Sequence, residues 1–224
     1  MGGRLVYCSW LYVNREIEMK RYLFIILLLC SAHIHLMAQA KEAQIKQKIS
    51  QVAATMKTMQ CDFVQTKHLK MLNDKMVSKG CMYYQQSNCL RWEYTSPYTY
   101  TFILNNDKVL LKNKKRNDVI DVNQNKVFKE IARIMMNSVV GNSLQDDKRF
   151  KTHISVAGGE WVATLLPLRK DMKQMFQSIV LHFSQKQAVV TQVELTEKNG
   201  DKTVIELKNI KTDVPISADM FALH

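Results

Sequence analysis

From Cys61 onward the chain is a succession of short segments in which apolar and polar residues alternate, each closed by turn-forming residues. DFVQTKHLKML, KMVSKGCMYY, CLRWEY, YTYTFIL and KVLL are separated at Asn73-Asp74, Ser87-Asn88 and Asn105-Asn106-Asp107, and a basic loop, KNKKRND, precedes VIDV. A period of two sends successive side chains to opposite faces of a strand, and connections this short join antiparallel neighbours. HISV, WVATLLP, SIVLHF, VVTQVELTEK and KTVIEL continue the pattern, with turns at Gly158-Gly159 and Asn199-Gly200. The Asn-Gly pair is the strongest local signal, because both residues accept the positive φ of a type I′ turn. The expectation is one antiparallel sheet of about ten strands.

Two segments break the period. AQIKQKISQVAATMKTM carries Ile45, Ile49, Val52, Met56 and Met59 at steps of three and four, the stripe of an amphipathic helix. KVFKEIARIMMNSVV places Val127, Phe128, Ile131, Ile134 and Met135 on one helical face, and Gly141 suits its end. A shorter amphipathic piece, KDMKQMF, falls between two strands. The fold class read from this is α+β, mainly β. A sheet so large tends to curl toward a barrel, and its inner surface exceeds what two modest helices cover.

The one long apolar run, residues 22–29, follows Met19-Lys20-Arg21 and precedes Ala38-Gln39-Ala40. Charged, apolar and small residues in that order make a secretory signal, and the run is too short to span a bilayer. Residues 1–18 then read as an upstream extension, 19–40 as a cleaved signal peptide, and 41–224 as one soluble periplasmic domain. Removing residues 1–38 leaves 28 basic and 18 acidic residues. For an exported protein such a balance points to anionic lipid or an acidic protein surface rather than to nucleic acid. Cys61, Cys81 and Cys89 are an odd set with no Cys-x-x-Cys spacing, and are read as small apolar residues.

LRWEYTSPYTYTF, residues 90–102, gathers five aromatic residues around Pro97. With Thr95-Ser96-Pro97 as the loop, Tyr94 faces Tyr98, Trp92 faces Tyr100 and Leu90 faces Phe102. Alternation then turns Leu90, Trp92, Tyr94, Tyr98, Tyr100 and Phe102 inward, and Arg91, Glu93, Thr99 and Thr101 outward. The inward phenols each need a hydrogen-bond partner or a place at the edge of a cavity.

Read in order, MQCDFVQTK, SKGCMYY, NCLRWEYTSPYTYTF, NNDKVLL and the closing DMF resemble the periplasmic outer-membrane lipoprotein carrier family, the LolA-like proteins, over essentially all of residues 41–221. The resemblance implies an unclosed antiparallel β-barrel with helices covering its concave face. It implies a carrier that shields the acyl chains of lipid-modified proteins between an inner-membrane ABC transporter and an outer-membrane acceptor. By the family pattern Leu90 lies at the cavity mouth and Trp92 lines it. The candidate lining is Phe63, Tyr83, Leu90, Trp92, Tyr94, Tyr98, Tyr100 and Phe102 from strands, with Phe128, Ile131, Ile134 and Met135 from the second helix. This chain departs from the pattern in two places: Gln85-Gln86 stand where the family has a basic residue that latches the lid, and KNKKRNDVIDVN replaces a segment with Tyr and Pro. The basic loop 112–116 offers a docking point for acidic lipid or a transporter.

His68, His153, His182 and His224 form no His-x-x-x-His pair, and neither a Gly-x-Ser-x-Gly elbow nor a phosphate loop is present. Neither an enzyme, a metal site, a cofactor nor a nucleic-acid partner is expected, and a monomer is. Two other readings remain open: an envelope sensor or regulator sharing the fold, and a carrier of another lipid or polyene amphiphile.

Overall fold

A computed structural model describes residues 39–86, 88–124, 135–137 and 140–224. The chain divides into two compact units at Gln44/Ile45, and the sheet belongs entirely to the second, Ile45–His224.

Eleven strands build the sheet: β1 Thr58–Leu69, β2 Asp74–Gln85, β3 Cys89–Ser96, β4 Tyr100–Asn105, β5 Lys108–Asn113, β6 Asn117–Asp121, β7 Phe150–Ala157, β8 Glu160–Pro167, β9 Phe176–Ser184, β10 Val190–Glu197 and β11 Lys202–Thr212. Their order is β6-β5-β4-β3-β2-β1-β11-β10-β9-β8-β7. Two meanders, β1–β6 and β7–β11, are thus joined where β1 pairs with β11. β6 and β7 follow one another in the chain yet form the two edges, so the barrel is unclosed, as the resemblance implied. Every recorded pairing is antiparallel, with short turns such as Asn106 and Asn73 at positive φ.

The register carries one apolar face from β5 across to β7. Phe63 sits opposite Leu207 on one side and Gly80 on the other, Met82 opposite Trp92, Trp92 opposite Phe102, and Phe102 opposite Leu111. In the second meander Val193, Leu181, Ala163 and Ile154 continue the row. These residues form one core cluster, which a merely flat sheet of this width would split.

Residues 39–55 are helical. Ile45, Ile49 and Ala53 are buried in that core and Val52 is only half-buried, so the stripe turns slightly from the expected one. Met56 follows the last helical turn, its N–H bonded to the Val52 carbonyl, and Met59 belongs to β1 rather than to the helix. Of the second predicted helix, residues 135–137 and 140 are helical and Gly141 ends it at φ +78, wedged between Phe183 and Ile49. Met136, Val140 and Leu144 are buried in the same cluster. The KDMKQMF piece is a short helix, Lys170–Met175, anchored by buried Met172.

A smaller core lies on the outer face. Ile103 and Leu110 are covered there by the C-terminal segment, whose 3-10 turn Ala218–Phe221 buries Phe221.

Candidate functional site

The inner face of β1–β5 is an aromatic strip. The Phe63 and Trp92 rings stack with centroids 4.4 Å apart, and Phe63 meets Tyr94 edge-on at 5.2 Å. Tyr100 lies 6.3 Å from Tyr94 on the next strand. Gly80 makes this possible: a Cβ there would fall 1.9 Å from the Glu93 carbonyl oxygen and 2.7 Å from the Phe63 ring. Leu90 beside Trp92 is 0% exposed.

Polar atoms within the strip are few. The Tyr94 hydroxyl donates to Gln65 Oε1 at 3.0 Å, which gives the Phe-x-Gln spacing a physical role: both side chains face inward, one as ring and one as acceptor. The Trp92 indole N–H is close enough to Tyr94 to influence its ionisation, yet it has no acceptor in hydrogen-bonding geometry. A buried donor without a partner costs about 1–3 kcal/mol, and such an atom in a native core calls for a reason. Burial pushes the phenols of Tyr94, Tyr84 and Tyr100 above the ordinary tyrosine range, so all are neutral hydroxyls at physiological pH. Burial, followed by Asp62 and Cys81, pushes the Cys61 thiol up to about 12. Cys61 is a buried thiol and behaves as the small apolar residue expected, while Cys81 and Cys89 are half-buried.

The structure brings together Phe63, Leu90, Trp92, Tyr94, Tyr100 and Phe102, and rearranges the rest. The hairpin register is displaced by two residues: Tyr94 faces Tyr100, Trp92 faces Phe102 and Leu90 faces Leu104. β2 holds β3 out to Ser96, opposite Lys79, and the Thr95 hydroxyl donates to the Lys79 carbonyl, so the chain cannot turn at Thr95. An even displacement keeps the inward set inward. It removes Tyr98, which sits in the loop 76% exposed and does not line the face. Tyr83 is also not on this face. It pairs with Arg91 and packs outward with Ile103 and Phe221, while its neighbour Tyr84 takes the inward place opposite Leu90. Phe128, Ile131 and Ile134 lie outside the described residues. Met135 is partly buried against the core.

Sequence reasoning left out half of the face. Trp161, Ala163 and Leu165 of β8 and Ile179, Leu181 and Phe183 of β9 are buried in the same cluster as Trp92. Their alternation in WVATLLP and SIVLHF is as plain as that in the aromatic hairpin, and identifies them as inward-facing.

Among the described residues this face is covered from the helix side. Ile45, Ile49, Ala53 and Met56 from the helix side occupy it, and three surface clefts lie away from it, at the β1–β2 tip, beside Met175, and on the outer surface near Asp62. Gln86, one of the two residues standing at the family's latch position, ties the end of the covering helix to the β2–β3 turn. Its side chain donates to the Ala54 carbonyl at 3.2 Å and its backbone N–H to the Lys57 carbonyl at 2.7 Å.

An unclosed barrel with an unbroken apolar inner face under a helical cover defines a class of proteins that enclose hydrophobic material within a curled sheet. Within that class the assignment is specific. Residues 54–224 match the family described as "Outer membrane lipoprotein carrier protein LolA", and the chain belongs to that family. Members of it are carrier and binding proteins rather than enzymes.

No curated protein matches the chain. Similar solved structures include a DUF1329 family protein from Desulfovibrio piger, 12% identical with TM-score 0.47 over 80% of this chain and 95% of that one. A LolA superfamily protein from Nitrosomonas europaea is 9% identical, TM-score 0.42, over 83% and 97%. The lipoprotein LppX of Mycobacterium tuberculosis is 10% identical, TM-score 0.45, over 78% and 96%.

Proposed function

We propose that this protein is a periplasmic carrier that shields the acyl chains of lipid-modified proteins and hands them on toward the outer membrane. The observation that carries the reading is the continuous apolar inner face, closed over by a helix whose buried contacts are apolar. Membership of the lipoprotein carrier family supports it.

The physical need is clear from magnitudes. Each methylene removed from water contributes about 0.8 kcal/mol, so an exposed acyl chain costs on the order of 10 kcal/mol and must be sheltered in transit. The residues proposed to meet acyl chains are Leu90, Trp92, Phe63, Tyr94, Tyr100 and Phe102, with Met135, Phe128, Ile131 and Ile134 from the helix predicted in the sequence. An incoming chain would displace the side chains of Ile45, Ile49, Ala53 and Met56, exchanging one apolar contact for another. Apolar burial is then nearly conserved, so loading and release are both accessible. The Trp92 N–H, which has only the nearby Tyr94 hydroxyl and no acceptor in good geometry, adds to this reading as a donor for an ester carbonyl at the head of the acyl group. The donor of cargo is an inner-membrane ABC transporter and the recipient an outer-membrane acceptor; the protein works as a monomer and catalyses no reaction.

The test is native mass spectrometry of the protein isolated from its own periplasm. The expected result is a bound acylated polypeptide. A bound free lipid or polyene would overturn lipoprotein carriage in favour of another amphiphile, and a stoichiometric protein partner without lipid would replace it with a sensor or regulator.

A further inference from the structure

In a fully antiparallel sheet alternate connections emerge at the same end. The register puts the β1–β2 turn (70–73), the β3–β4 loop (97–99), the β5–β6 loop (114–116), the β8–β9 connection (168–175) and the β10–β11 turn (198–201) together at one end. These five connections hold eight basic residues against two acidic ones, Asp171 and Asp201. The connections at the other end that lie within a meander, 86–88, 106–107, 158–159 and 185–189, hold one basic and one acidic residue, Lys186 and Asp107. Among the connections within the two meanders, positive charge is therefore concentrated at one rim.

Exposed apolar side chains gather at the same rim. Met71 is 93% and Leu72 is 72% exposed at the very tip of the β1–β2 turn, and Tyr98, Leu168 and Met175 are exposed in neighbouring connections. Of the exposed large apolar residues, Val156 sits toward the opposite end. Lys70 and Lys75 flank the turn, with Asp74 beside Lys75 as the one acidic residue in that stretch, and Lys114 and Lys115 lie exposed two connections away. The tip is held in place: the Lys70 backbone N–H donates to Asp201 Oδ1 at 3.0 Å, and the Lys70 stem lies against Gly200, where a Cβ would come within 2.6 Å of it.

We infer that this rim is a docking surface for an anionic phospholipid bilayer, with Met71 and Leu72 inserting at the boundary between headgroups and acyl chains and the surrounding lysines facing the phosphates. Two adjacent apolar residues on a convex turn, ringed by cations, match a lipid interface, which is flat, anionic and yields to a protruding side chain. A folded protein partner would have to supply a pocket matching the protruding Met71 and Leu72, because the cleft beside them, lined by His68, Leu69, Lys70, Asn73, Asp74, Lys75 and Gly200, is mostly polar and does not include either side chain. The inference concerns a surface apart from the apolar inner face, and stands or falls separately from acyl carriage.

The experiment is flotation of the full mature chain with vesicles rich in phosphatidylglycerol, beside vesicles of phosphatidylcholine alone. Binding to the anionic vesicles is expected, weakening as salt is raised. The paired substitution Met71→Ser with Leu72→Ser, at exposed positions, should lower partitioning about tenfold, and Lys114→Glu with Lys115→Glu should lower it by a similar factor. Uptake of a fluorescent acyl probe is read in parallel and should be unchanged in both variants, which separates loss of the rim from loss of the inner face. Equal partitioning onto neutral vesicles, a Met71/Leu72 variant that floats like the parent, or retention by a protein acceptor with no flotation would each overturn the assignment.

Discussion

The two faces of β2–β5 are both covered, and they are covered differently. On the outer face the C-terminal segment is held by polar bonds to its backbone: Arg91 Nη1 donates to the Met220 carbonyl at 3.3 Å, Asn105 Nδ2 to the Phe221 carbonyl at 3.1 Å, and Lys112 Nζ to the His224 carbonyl at 3.4 Å. Phe221 plugs the small core beneath. On the inner face the helix meets the sheet through apolar Ile45, Ile49 and Ala53; its polar bonds lie off the sheet, from Gln86 to the Ala54 carbonyl at its end, from Lys46 to Asp147 and from Gln145 to the Ser50 hydroxyl. Directional bonds to a backbone fix a segment in one position, whereas apolar contacts accept any apolar substitute of suitable shape. One cover is a seal and the other is exchangeable.

The largest effect should come from the residue on which both faces depend. Gly80→Ala drives a methyl into the Glu93 carbonyl of the neighbouring strand and into the Phe63 ring, and should cost about 5 kcal/mol or more, read as a fall in the urea midpoint or as failure to fold. A midpoint near the parent's would mean that β2 and β3 can separate freely, and the account of the aromatic strip would be lost.

The next two substitutions set one cover against the other. Phe221→Ala empties the outer core and should cost about 4 kcal/mol while leaving acyl-probe affinity unchanged. Ile49→Ala should cost about 3 kcal/mol and raise probe affinity, because the occupant that the probe displaces has been weakened. If both variants changed affinity in the same direction, the distinction between seal and exchangeable cover would fail.

How much of this was readable beforehand follows from the range of each signal. Alternation is local, so the inward set Leu90, Trp92, Tyr94, Tyr100 and Phe102 was legible even with the hairpin register displaced by two. Tyr83 and Tyr84 are adjacent, and which one faces inward depends on pairing across the sheet and on the irregularity between Lys79 and Gly80. That information is not local, and the choice of Tyr83 was wrong. Tyr98 failed for a related reason: the loop length is set by β2, a strand that precedes the hairpin. The outer cover was invisible, because a 3-10 turn docking more than a hundred residues away from its partners has no period of its own. Phe221 was noted only as part of a closing DMF.

A smaller effect isolates the side-chain hydrogen bond between the helix end and the β2–β3 turn. Gln86→Ala removes the bond to the Ala54 carbonyl, worth about 1 kcal/mol, and leaves the backbone bond to Lys57. The expected result is faster amide exchange in residues 51–55 with little change in the global midpoint. Unchanged exchange there would mean that the apolar contacts and the backbone bond to Lys57 suffice to hold the helix end.

The smallest effect lies on the outer face of the other meander, which has no apolar core of its own among the described residues. There His182 stands between Glu160 and Glu194, with Nδ1 3.1 Å from one carboxylate and Nε2 3.3 Å from the other, and Lys202 Nζ reaches Glu194. Burial alone would raise the Glu194 carboxyl, but the hydrogen bond and charge of Lys202, then His182 and Gln192, bring it below its ordinary value. A carboxyl lowered on folding adds stability that is present above its unfolded value and is lost as pH falls through the folded one. The urea midpoint of the parent should therefore decline in the acid range, and Lys202→Met should flatten that decline while leaving acyl-probe uptake alone. Much of this group is solvated, so screening keeps the effect small. An unaltered acid limb in the variant would show that the outer network is held by packing rather than by charge, and that the two meanders differ less on their outer faces than their side chains suggest.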